Sequence, residues 1–157
     1  MIRRFFLTAG LAALVAGPLA AQANERDIRE LNRTELESAK KQIVAANMTF
    51  TDAESQAFWP LFDQYQAKRR TNTERRVALI ERYAGSYPAM TDMVADSLAK
   101  EFLDIEKERS ELAREWYPKF RKVLPAAKAA RFMQIENKLQ VLIDYQLAAK
   151  IPLVPAP

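Results

Sequence analysis

Cysteine and histidine are both missing from this chain of 157 residues. Without a thiol there is no disulfide, no dithiol redox couple and no thiolate nucleophile. Without an imidazole the commonest general base near neutral pH is gone, and the loss of both residue types removes the usual ligands of zinc and copper. Glycine is almost as scarce. Gly10 and Gly17 lie in the N-terminal segment and only Gly85 follows, so no glycine-rich loop can cradle a phosphate. Neither sign of charge is in large excess, with 24 lysines and arginines against 20 acids, so nucleic acid is not expected as a partner. These absences argue against an enzyme, and no catalytic residue, cofactor site or metal site is assigned. Carboxylate chemistry is the one route left, for instance a hydrolase using Asp104 and Glu108, one helical turn apart. Acids at that spacing are more often a solvated face or ion-pair partners.

What is present begins with an export signal. Arg3 and Arg4 precede an apolar run over residues 5–15, and Ala21-Gln22-Ala23 has the A-x-A form of a cleavage site. A membrane-spanning helix fits less well. Gly10, Gly17 and Pro18 interrupt the uncharged stretch, and its strongly apolar part is well short of the ~20 residues a spanning helix needs. Residues 1–23 are therefore expected to be a signal peptide cleaved after Ala23, with a mature chain that starts at Asn24 and works in the periplasm. Removing 23 residues from 157 leaves 134, the length of one domain, and takes away two arginines and no acid, so the formal charge falls from +4 to +2.

Beyond the signal, apolar residues recur at helical spacing and nowhere alternate in the manner of a strand, so the expected fold is all-α. A first helix is expected over residues 27–46, with a thin stripe of Ile28, Leu31, Ile43 and Val44. Thr51-Asp52-Ala53-Glu54 is a capping box that starts a second helix over 52–83, carried by Phe58, Leu61, Phe62, Tyr65, Leu79, Ile80 and Tyr83. Gly85 is read as its stop and Pro88 as closing the exit. Thr91 caps a third helix over 92–123, with Val94, Leu98, Phe102, Ile105, Leu112, Trp116 and Phe120 on its apolar face. Pro60 and Pro118 lie inside these helices and should bend them. At roughly 48 Å each, and joined by a short link, the two form a long antiparallel hairpin. A fourth helix over 125–150 uses Phe132, Ile135, Leu139, Leu142, Ile143 and Leu147. Residues 24–150 thus make one helical domain, with N- and C-terminal helices flanking the hairpin and an extended tail at 151–157. That tail could add to the sheet edge of a partner or lie back over its own bundle.

Two charged features interrupt the pattern. Lys68, Arg69, Asn72 and Arg76 occupy positions on the second helix that should face the third, opposite a stretch holding Glu101, Asp104 and Glu106, with Glu108 just beyond. An interhelical ion-pair ladder that fixes register is the simpler account, and a ligand-binding basic patch is the other. Lys119, Arg121, Lys122, Lys128 and Arg131 form a second cluster around the junction of the third and fourth helices. Cations at the end of the third helix complement its dipole. Lys128 and Arg131, near the start of the fourth, do not, and are the candidates for a partner contact.

The starts of the second and fourth helices repeat one pattern. Phe50-Thr51-Asp52-Ala53-Glu54 leads to Phe58, and Leu124-Pro125-Ala126-Ala127-Lys128 leads to Phe132: an apolar residue, a helix starter, and a phenylalanine eight positions on. In an exported, helical, cysteine-free chain this resembles the twice-used LTxxQ motif of the Spy/CpxP family of periplasmic chaperones and stress regulators. Both copies depart from it, with Phe50 for leucine and Glu54 for glutamine in the first, and Pro125 for threonine and Lys128 for glutamine in the second. The resemblance covers residues 48–145. It implies a helical hairpin that forms a homodimer and holds unfolded clients without nucleotide, or one that senses envelope stress beside a membrane kinase. Relatives that respond to metal use histidine-rich sites, which are missing here.

The first functional reading is therefore a chaperone-like binding protein for unfolded or partly folded envelope proteins. Aromatic residues cluster at the proline-containing ends of both long helices. Phe58, Phe62, Trp116 and Phe120 fall on the core stripe, whereas Trp59 and Tyr117 lie beside it and are expected to be exposed client contacts. The second reading is a regulator that docks on a membrane sensor kinase through Lys128 and Arg131.

Overall fold

The computed structural model describes residues 34–155. The expected signal peptide, its cleavage site and the first part of the first helix lie outside these residues, as do the last two residues of the tail. The chain divides into two compact units, Met1–Ile43 and Val44–Pro157. Of the first, only residues 34–43 are described, and they are helical. The second holds the hairpin and the helix after it.

The described residues are all-α and contain no strand. Helix α1 covers 34–47, α2 is Asp52–Ser86, α3 is Asp92–Val123 and α4 is Ala126–Ala148, with a 3-10 turn at Tyr87–Ala89 between α2 and α3. None of these helices is long and apolar enough to cross a membrane. The starts follow from their caps. Thr51 is extended, its hydroxyl accepts the Glu54 N–H at 3.2 Å, and the Glu54 carboxylate accepts the Thr51 N–H at 2.8 Å. At α3 the Thr91 hydroxyl accepts the Val94 N–H at 3.3 Å.

The end of α2 departs from expectation. Gly85 does not stop the helix; it carries no positive φ, and α2 runs past it to Ser86. Pro88 does the stopping, because it has no N–H for the Ala84 carbonyl, and Tyr87 N–H takes that carbonyl in a tighter turn instead. Leu124 is forced extended by the following Pro125, and this ends α3 and turns the chain into α4. At the far end of α4, the N–H groups of Lys150 and Ile151 both return to the Leu147 carbonyl at 3.0 Å, and Pro152 begins the extended tail.

Helices α2 and α3 pack as the antiparallel hairpin, and α4 runs parallel to α2. The Cα atoms of α2 and α4 nowhere come within 8 Å of each other. Only long side chains bridge that seam. The core is uneven along it. At the end holding the two helix starts, Phe58, Phe62, Tyr65, Trp116, Phe120 and Phe132 interlock with Val44, Met48, Leu124 and Ala129, all buried. Toward the α2–α3 turn the buried set shrinks to Leu79, Leu98 and Ile105, flanked by Tyr83, Met90 and Val94. Phe102, Leu142 and Ile143, expected on core stripes, are instead exposed at 43%, 61% and 39%. Helical spacing establishes that they share apolar faces but not that anything covers those faces.

Candidate functional site

The two copies of the repeated motif sit against each other. Lys128 Nζ donates to Glu54 Oε2 at 2.5 Å, the same oxygen that accepts the Thr51 N–H. Lys128 and the Thr51 N–H thereby hold the Glu54 carboxyl below its ordinary pKa of 4.5, against a smaller effect of burial. Behind this pair the motif phenylalanines meet, with Phe58 and Phe132 centroids 5.1 Å apart at 85° and Phe120 4.6 Å from Phe132. Phe50, outside α2, stacks on Phe58 at 4.7 Å, while Leu124 is buried just before Pro125, the N-cap of α4. The motif is thus a clamp that joins two helix starts through one ion pair and one ring contact.

Lys128, expected to face a partner, is committed to Glu54. Arg131 is committed too: its Nε–H donates to the Asn47 carbonyl at 2.6 Å, at the C-terminal end of α1, where a cation complements the helix dipole. Two more of the basic cluster also serve the bundle, since Arg121 donates to the Leu124 carbonyl at 2.5 Å and Lys119 lies 3.9 Å from the Trp116 ring centre while pairing with Glu115, whereas Lys122 is exposed. Trp59 departs from expectation as well. It is half-buried, edge-on to Phe58 and Phe62 at 5.1 and 5.4 Å, with its indole N–H on Ser55 Oγ at 3.1 Å. Tyr117 is 37% exposed, as expected.

Of the four polar positions in the α2 gap Lys68 is exposed, contrary to expectation, and the other three join a polar network that draws most of its acids from α4 rather than α3. Arg69 pairs with Glu136 at 2.7 Å and donates to Gln140 at 2.6 Å; Gln66 also reaches Glu136, at 3.0 Å. Arg76 pairs with Asp144 at 2.5 Å and stands 3.6 Å from Glu106, and Arg109 of α3 pairs with Asp144 at 3.0 Å and with Glu106. The Asn72 amide donates to the Ile105 carbonyl at 2.9 Å. Glu136 is only 3% exposed, and a carboxylate so deeply placed requires the pairing that Arg69 supplies. Burial would raise the Asp144 pKa, but its bonds to Gln140, Arg76 and Arg109 together hold it below the ordinary value. Of the acids expected on α3, Glu101 and Glu108 form more exposed pairs with Arg82 and Arg75, and Asp104 is exposed. The signal for the α4 acids is in the sequence, since Glu136, Gln140 and Asp144 recur every fourth residue and so share one face.

Next to this network lies a cleft of about 190 Å³ between α2, α3 and α4, lined by Arg69, Arg76 and Arg109 together with Ile80, Ile143 and Leu147. Its three arginines are paired structural charges. Among the described residues no group of carboxylates is arranged to hold a metal ion.

Around the turn end, large apolar side chains face solvent. On α4, Val141, Leu142 and Tyr145 are 55%, 61% and 75% exposed, on the side of the helix opposite the Glu136–Gln140–Asp144 stripe. On α3, Met93 and Leu103 are 79% and 64% exposed, and in the tail Leu153 is 89% exposed. No family model, no curated protein and no solved structure matches the chain.

Proposed function

We propose that the protein is an exported, periplasmic, nucleotide-independent chaperone-like binding protein, a divergent relative of the Spy/CpxP family that works as a homodimer and holds unfolded or partly folded clients by surface contact. The observation that carries this reading is the uncovered apolar surface at the turn end. Val141, Leu142 and Tyr145 on α4, with Leu103 on α3, offer methyl and ring surface to a client while the bundle's own cohesion resides elsewhere. Lys138 and Lys107 are exposed on the same two helices, as suits a surface for segments that expose apolar side chains in a polar chain. The clamp formed by the two motif copies agrees with an architectural role for the repeated pattern. Docking on a sensor kinase through Lys128 and Arg131 is not favoured, because both side chains bond within the bundle. Hydrolysis by Asp104 and Glu108 is not favoured either, since Glu108 is paired with Arg75.

The test is light scattering of an aggregating client with and without the protein. Wild type should suppress aggregation without ATP, and the double variant Leu142→Asp, Tyr145→Asp should lose most of that protection while its melting temperature stays near wild type. Full protection by a folded double variant would overturn the assignment of the contact surface, and no protection by wild type would overturn the function.

A further inference from the structure

The tail carries a second recognition chemistry. Residues 152–155 read Pro-Leu-Val-Pro, and prolines at this spacing favour a polyproline-II segment, which has no internal hydrogen bonds and leaves its carbonyls to external donors. One such donor is in place. The Tyr83 hydroxyl, on the last turns of α2, donates to the Pro152 carbonyl at 2.8 Å. The Tyr87 ring lies 5.8 Å from the Tyr83 ring at an angle of 59°, so the donor belongs to a tyrosine pair one turn apart. An aromatic surface that adds a hydrogen bond to a proline carbonyl is the chemistry by which proline-rich segments are recognised generally.

The bound tail is held lightly. Leu153 is 89% exposed and Val154 50% exposed, so beyond Pro152 the segment is not sunk into the helices. It is brought to Tyr83 by the chain itself, through the turn in which Lys150 and Ile151 return to the Leu147 carbonyl. A contact with one hydrogen bond and little burial, made by a tethered segment, persists because of the tether and not because of its own strength.

The geometry points to the Tyr83–Tyr87 surface as a docking site for extended, proline-containing apolar segments of other chains, occupied in this structure by the protein's own tail as a resident competitor. This rests on the client-holding reading, and it adds the class of segment that is held and a gate on access to it. The tail rises to let a client segment take its place, and returns when the client leaves. Glycines and serines in place of the tail would leave the site open.

The experiment uses a fluorescent peptide with the sequence of residues 151–157, titrated by anisotropy against the full-length protein. It is repeated on a full-length chain whose residues 151–157 are changed to glycine and serine, and on that chain with Tyr83→Phe. With an effective concentration on the order of mM for so short a tether, the resident tail should weaken peptide binding about tenfold where the peptide's own Kd is on the order of 0.1 mM. The tail-replaced chain should therefore bind about tenfold tighter than wild type. Tyr83→Phe should reduce that binding about fivefold, the effect of one lost hydrogen bond. A peptide with alanine at all three prolines should bind far more weakly. Pro152→Ala in the otherwise intact chain supplies a milder opening and should also bind the peptide more tightly than wild type. Equal binding of the alanine peptide, or no effect of Tyr83→Phe, would overturn the proposal. The two readings separate cleanly. Aggregation suppression by a wild type whose tail-replaced form binds no peptide would refute the docking site and leave the holding function. Peptide binding by a chain that protects no client would refute the holding function and leave the site.

Discussion

The two ends of the α2–α3 hairpin are built on different principles. At the end where α2 and α4 begin, six aromatic rings of α2, α3 and α4 interlock with Val44 of α1, Ala129 of α4 and the linker residues Met48 and Leu124, and all are buried. At the turn end three aliphatic residues make the buried core, and larger apolar groups on α3, α4 and the tail face water. The arginine network starts at Arg69 and runs into this second half, where Gln140 and Asp144 alternate with the exposed Val141, Leu142 and Tyr145, and it spans a seam too wide for close backbone packing. The difference divides labour along one pair of helices. Ring packing anchors the fold at one end, so the other can leave apolar surface uncovered without the bundle coming apart. Regions with few buried contacts open locally at lower free energy, and a surface that adapts to varied clients belongs in such a region.

Truncations should hurt the anchored end most. Phe58→Ala removes a fully buried ring packed against Phe50, Trp59, Phe62, Phe120 and Phe132, and should cost about 3–5 kcal/mol in chemical denaturation. Leu79→Ala at the turn end should fall near the low limit of the ~2–5 kcal/mol range for such truncations, because its sparse surroundings can collapse. Equal losses at the two sites would remove the distinction. The network comes next. Glu136→Ala leaves the Arg69 guanidinium facing a nearly buried void, and should cost about 3 kcal/mol, whereas Glu108→Ala, which breaks an exposed pair, should cost under about 1 kcal/mol.

Acid offers a third route. The Glu54 and Asp144 carboxyls are held below their ordinary values of 4.5 and 3.8, so the stability they contribute is complete above those values and is lost as pH falls through the lower folded-state values. Thermal midpoints should therefore be flat through neutral pH and fall below about pH 4.5, and Lys128→Met should shrink the share of that fall due to Glu54. The smallest change is a gain. Gly85 is helical without a positive φ and has open space where a Cβ would go, so Gly85→Ala should stabilise by about 0.4–1 kcal/mol.

The anchored end is legible in the sequence because its signals are local. The capping box at Thr51, the cap at Thr91, the two proline-marked breaks and the three-four spacing of Phe58, Phe62, Trp116 and Phe120 each depend on residues within two turns. Gly85 misleads for the same reason: a glycine near a helix end is the commonest stop, and only the missing N–H of Pro88 shows that it is not needed as one here. The turn end is harder to read. Periodicity marks Leu142, Ile143 and Phe102 as apolar-face residues, but coverage of that face depends on where α4 lies against the hairpin. The ion pairs show the same limit. The register of two helices alone places acids opposite Arg69 and Arg76 on α3, whereas the third helix in the seam, with Glu136 and Asp144, takes most of the bonds. Trp59 and Lys128 each lie beside a core stripe, a position that suggests an outward side chain, yet Lys128 turns onto Glu54 of another helix and Trp59 lies along its own helix against Ser55, Phe58 and Phe62.

Whether clients are held at the turn end, and not at the aromatic end, is open to direct test by photo-crosslinking. A photoreactive residue is placed singly at position 145 on α4 or at position 117 on α3, both exposed. An unfolded client should crosslink from position 145 and barely from 117. Crosslinks from position 117 with none from 145 would put the holding surface at the wrong end of the hairpin and refute the division of labour between its two ends.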